Sequence, residues 1–165
     1  MKRKNQVKFS FIATLIMIFI MQFQGKILKE KGFNIVNFEL AKTISEAEKI
    51  MTQWGATGVE AARLNTFIDF FFIAAYVAFG YFASLILTEK DPNRIVKRVG
   101  KIMAQSMIVA GTFDIIENMA MLQTLNNNIS ETITQAAFWL ATFKFSIIAL
   151  VLIAAITFLI RRKVK

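Results

Sequence analysis

Asp114, Glu117 and Asn118 interrupt an otherwise apolar stretch of this 165-residue chain, residues 102–122, and Lys144 interrupts another, residues 136–160. Ionisable groups at bilayer depth are costly and persist where they face a partner or a water-filled cavity. Carboxylates in such a place can hold a proton, a metal cation or a cationic ligand. An amine beside them can neutralise them or stabilise negative charge. The chain contains no cysteine and no histidine. That excludes disulfides, thiolate catalysis, the usual structural zinc sites, haem ligation by His or Cys, and every histidine-based acid–base scheme.

The elements that must carry these residues are long and apolar. Hydrophobic residues make up 56% of the chain, 17 of them phenylalanine, and they fall in blocks long enough to cross a hydrocarbon core of about 30 Å. The composition and spacing predict an all-α, integral membrane four-helix bundle forming a single membrane domain over residues 1–165. Its spans lie near 9–23, 67–87, 102–122 and 136–160. Residues 9–23 follow a basic start (Lys2, Arg3, Lys4, Lys8) and are followed by Gln24, Gly25 and Lys26, with no small-x-small cleavage site. An uncleaved signal-anchor helix is therefore expected. The segment 24–64 is water-compatible. Within it Ile44, Ala47, Met51 and Trp54 fall at helical spacing, and Thr43 with Glu46 (or Ser45 with Glu48) offers a capping box. This predicts a short extracytoplasmic amphipathic helix between spans 1 and 2, ended by Gly55, with Trp54 at headgroup level. An ordinary packed loop helix is the alternative.

Net charge is +9, but the basic residues cluster at the ends of apolar blocks rather than on one soluble face, which argues against nucleic acid as a partner. The basic start, the loop containing Lys90, Arg94, Lys97, Arg98 and Lys101, and the tail all predict a cytoplasmic location. The connection through Asn126, Asn127 and Asn128 has no basic residue. Both termini are thus expected in the cytoplasm, and the setting is the lipid bilayer of a bacterial cytoplasmic membrane.

Counting from the outer end of each span at about 1.5 Å per residue puts Asp69 a few Å deep and Asn118 and Glu117 at roughly 6–8 Å. Asp114 and Lys144 come out near 12 Å, and Tyr76 near 13 Å. Helical phase agrees: Asn65, Asp69, Phe72 and Tyr76 share one face of the second span, and Gly111, Asp114 and Asn118 share one face of the third. An Asp114–Lys144 ion pair is expected, with Tyr76 hydrogen-bonding at the same level. Asp69, Asp114 and Glu117 then outnumber Lys144. Protonated carboxyls, a bound cation or a cationic ligand group must correct the excess, unless Glu117 or Asp69 reaches water at the interface. The candidate ligand-binding set is Asp69, Tyr76, Asp114, Glu117, Asn118 and Lys144. No catalytic residue is assigned, the metal question stays open, and no cofactor is expected. Thr142, opposite Lys144, is expected to bond its own helix backbone, and Glu39 to be solvent-exposed rather than folded over the cluster.

Several strings together (IVNFELAKT at 35–43, Trp54 and Gly55, IDFFFIAAY at 68–76 and AGTFDIIEN at 110–118) resemble a set of small bacterial four-span membrane proteins without assigned function. The resemblance covers residues 34–123, with Asp69, Tyr76, Asp114, Glu117 and Asn118 at the recurrent places. It implies a four-helix fold and nothing about substrate.

Three functions follow as expectations. The first is binding or transport of a cation, a proton, or an amine- or lipid-headgroup-bearing ligand at an outward-facing carboxylate cluster. The second is an accessory or assembly subunit of a membrane complex, with a membrane protein as partner. The third is a membrane-embedded lipid-modifying enzyme. The absence of a nucleophile–base pair, a metal triad or a phosphate-binding glycine loop counts against the enzyme.

Overall fold

The computed structural model describes residues 2–164, the last three by backbone alone. Six helices follow in order: α1 Arg3–Gln24, α2 Lys26–Glu30, α3 Ile35–Glu39, α4 Ile44–Glu89, α5 Arg94–Leu125 and α6 Glu131–Val164. No strand occurs among the described residues. The chain is an all-α bundle built on α1, α4, α5 and α6, the four helices long and apolar enough to cross a membrane. Each helix outruns its apolar block. The apolar run marks only the part suited to lipid, while backbone hydrogen bonding continues into the polar flanks.

The helix ends are set by side chains that satisfy otherwise unpaired backbone groups. Asn34 and Asn37 exchange bonds at the start of α3, with Asn34 N–H donating to Asn37 Oδ1 at 2.9 Å and Asn37 N–H to Asn34 Oδ1 at 3.1 Å. Of the two capping boxes the sequence offers at α4, the Thr43–Glu46 pair forms: Glu46 N–H donates to Thr43 Oγ1, and the Glu46 carboxylate accepts from the amides of Lys42 and Thr43. Those amides, Lys42 first, hold the Glu46 carboxyl below its ordinary pKa. Asn93 caps α5 through Ile95 N–H at 2.8 Å, and its own N–H donates to Asp91 Oδ1 in the Asp-Pro-Asn turn. Gly55 interrupts α4 with φ 62° and ψ −178°, a left-handed conformation that suits glycine. The helix resumes at once on the far side of the break.

α4 is central, packing against α1 on one side and α5 on the other, and α6 packs mainly on α5. The α4–α5 contact is close because glycines admit side chains from α4. A Cβ at Gly100 would collide with the Thr88 side chain, and one at Gly111 with Val77. At one end of the bundle, α2, α3 and the first part of α4 form a cap with its own apolar core of Leu28, Phe38, Ile50 and Trp54, joined to Met121, Leu125 and Ala137 of the bundle. Trp54 is fully buried there rather than standing at headgroup level. Its ring packs 5.3 Å from Phe38, and its Nε1–H donates to the Phe33 carbonyl at 2.9 Å. An apolar stripe of this kind packs on the bundle when a partner surface lies beside it.

Trp54→Ala should open a cavity in this cap and cost about 3–5 kcal/mol. Thermal unfolding in detergent reads the loss, and Trp54→Phe should recover most of the packing but not the hydrogen bond.

Candidate functional site

Four elements converge just beneath the cap. α3 supplies Glu39, α4 supplies Asn65, Asp69 and Tyr76, α5 supplies Asp114, Glu117 and Asn118, and α6 supplies Lys144. Every one of these side chains is buried. Asn65, Asp69 and Tyr76 recur at three- to four-residue multiples and so share a face of α4. Asp114, Glu117 and Asn118 recur likewise on α5.

Lys144 is the centre. Its ammonium donates to Asp114 Oδ1 at 2.6 Å and to Glu117 Oε1 at 3.0 Å, with Glu117 Oε2 at 2.9 Å and Glu39 Oε2 at 3.4 Å. The Phe145 ring lies 4.9 Å from the same nitrogen, within cation–π range. On the far side of Asp114, the Tyr76 hydroxyl donates to Oδ2 at 2.7 Å, and Asn118 Nδ2 donates to Asp69 Oδ2 at 2.7 Å. The expected Asp114–Lys144–Tyr76 arrangement is therefore present. Glu117 does not reach water: it is 0% exposed and turned onto Lys144. Thr142 Oγ1 donates to the Phe138 carbonyl of its own helix, away from the cluster.

Glu39 departs from expectation. Rather than facing solvent, it folds back from α3 over the cluster and joins the ion network. The reason is local. The Asn34 capping box starts a short helix whose Phe38 enters the cap core, and the next residue along that helix points to Lys144. Burial pushes the Glu39 carboxyl above its ordinary pKa, with Lys144 pulling the other way. A single acidic residue inside the apolar string 35–41 was the available signal.

Glu39 sharpens the charge problem. Three carboxylates (Glu39, Asp114 and Glu117) hold one amine and a fourth, Asp69, is buried beside them on Asn118, leaving a formal −3 if all are ionised. Protons or an added cation must offset so large a surplus at low dielectric. Among the described residues no group of acidic side chains is arranged as a metal-ligand set.

A cavity of about 600 Å³ opens from this cluster, inside the roughly 300–1,000 Å³ range of small-ligand sites. α1 and α6 flank it, α4 and α5 form its back wall, and α2 and α3 roof the capped end. Glu39, Asn65, Asp69, Tyr76, Asp114 and Lys144 line it at the cluster, Thr14, Gln22, Lys29 and Asn34 are polar as well, and Phe72, Phe79, Ile148 and Leu152 are among its apolar walls. Along α4 it runs from Asn65 to Gly80, about 22 Å at 1.5 Å per residue. Ile18 of α1 and Leu152 of α6 stand at its rim, 41% and 56% exposed on the apolar outer surface of the bundle. Sequence reasoning found the polar residues but not this cleft, because the gap between α1 and α6 leaves no periodic trace in either helix.

Removing the amine should strand the carboxylates. Lys144→Met is expected to cost about 3–5 kcal/mol in denaturant unfolding in detergent, and adding Asp114→Asn with Glu117→Gln should restore part of it. Glu39→Gln should loosen the roof alone, raising amide hydrogen exchange over residues 33–43 while α5 and α6 keep their protection. Compared with protein-family models, curated proteins and solved structures, the chain matches none.

Proposed function

We propose that this protein is an integral protein of the bacterial cytoplasmic membrane that binds, and carries or presents, an amphiphile taken laterally from the bilayer. The ligand's hydrocarbon occupies the cleft between α1 and α6, and its polar end meets the buried carboxylates. One observation carries this reading: a buried ionic cluster faces a long apolar cleft whose rim lies on the lipid-suited surface of the bundle. The cleft, about 600 Å³ in volume and about 22 Å long, has the elongated form that suits an extended hydrocarbon chain.

Orientation follows from charge. Lys2, Arg3, Lys4 and Lys8, the α4–α5 turn with Lys90, Arg94, Lys97, Arg98 and Lys101, and Arg161 all belong to the end opposite the cap. The positive-inside rule assigns that end, with both termini, to the cytoplasm, and the cap with its carboxylate cluster to the outer leaflet. α1 then serves as a retained signal-anchor whose polar face packs on α4.

The test is photo-crosslinking in nanodiscs with a single-chain lipid carrying a diazirine in its tail. Label should concentrate on cleft residues such as Ile18, Phe79 and Met107, and Ile148→Trp, which fills the cleft, should cut it several-fold. Label spread evenly over outward residues such as Phe71 and Phe143 would defeat the proposal.

A further inference from the structure

Resting on that reading of the cleft, we infer that its headgroup is a primary ammonium, bound by Asp69 and Asn65. Gln24 is the last residue of α1. Its Nε2 donates to the Ala61 carbonyl at 2.7 Å. A carbonyl only accepts, so the orientation of the Gln24 amide is fixed and its Oε1 faces Asn65. That oxygen accepts from Asn65 Nδ2 at 2.6 Å, which fixes the Asn65 amide in turn. Asn65 Oδ1 is left as a buried acceptor on a residue that lines the cleft. Asn65 is only 1% exposed, and Oδ1 has no donor among the described residues. A buried carbonyl-type oxygen without a donor is costly, and a ligand donor at this place removes the cost.

Asp69 lies one helical turn further along the same face of α4 and also lines the cleft. Its Oδ2 accepts from Asn118, and no cation lies within ion-pair distance of it among the described residues. Lys144 does not serve it, because that ammonium is already held by Asp114, Glu117 and Glu39. The donors nearby are committed as well: the Tyr76 hydroxyl proton to Asp114 and the Asn118 amide to Asp69. The polar wall at Asn65 and Asp69 therefore offers acceptors, with negative charge wherever Asp69 is ionised, and an added cation at Asp69 is one way to offset the carboxylate surplus. A carboxylate or phosphate headgroup meets repulsion there. A quaternary ammonium brings charge without N–H groups and leaves Asn65 Oδ1 unmatched, and a hydroxyl brings a donor without charge. A primary ammonium supplies both. Lys29, exposed and bonded to Gln22, lines the cleft from α2 and has its own acceptor there.

The probes are dodecylamine, dodecanol, dodecyltrimethylammonium and laurate, each competing against the diazirine lipid for the cleft in nanodiscs. Dodecylamine should compete at a concentration about tenfold or more below the other three, the scale of a charge-assisted hydrogen bond. Asp69→Asn keeps an oxygen for Asn118 and should collapse the amine-to-alcohol ratio towards one. Asn65→Leu, a second variant should the first fail to fold, should lower the same ratio. Equal competition by amine and alcohol, better competition by laurate, or a ratio unchanged in both variants would overturn the ammonium assignment while leaving the cleft standing. If the diazirine lipid never labels the cleft, the amphiphile reading falls first and this inference with it.

Discussion

The ammonium of Lys144 holds the molecule together at the one level where three long helices and the cap meet. An unpaired amine in an apolar bundle would be intolerable, and so would the carboxylates of Asp114 and Glu117 without it. Each makes the other admissible, and the geometry leaves little freedom: contacts between 2.6 and 3.4 Å reach α5 twice and α3 once. Apolar packing between membrane helices is only weakly directional, since lipid competes for the same surfaces. A centre of fixed charges supplies the direction, and it sets which face of α6 turns towards α5.

The same centre joins the cap to the membrane part. α3 is five residues long and could not hold its place by helix propensity alone. Two anchors hold it, Phe38 in the apolar core against Trp54 and Glu39 on Lys144. The roof of the cleft is thus fastened partly by packing and partly by charge. Whatever alters the ionic state of the cluster acts directly on the roof.

Much of this was legible in the sequence. Hydropathy located four long helices, and a rise of about 1.5 Å per residue placed Asp114, Tyr76 and Lys144 at one depth, where they do meet. Such counting works because a helix is a rigid ruler. It failed for Glu39 and Trp54, whose positions depend on how a non-helical connection folds back, and no periodicity encodes that. It also failed for the cleft, which arises from α1 and α6 lying apart. Asn65 was legible as a polar residue on the right face of α4. Its free acceptor was not, because that depends on Gln24 from another helix and on a carbonyl at Ala61.

α1 is fastened to α4 by a polar contact at each end. Arg3 pairs with Glu89 at 2.9 Å, and some 31 Å away along α1 Gln24 bonds Asn65 and Ala61. Slipping α1 by a single turn would break both attachments together, so the two favour one register of α1 against α4. The face that α1 presents to the gap beside α6, with Thr14, Ile18 and Met21, is thereby kept in place. Under the proposed function, that gap is the route by which a chain from the surrounding lipid would enter.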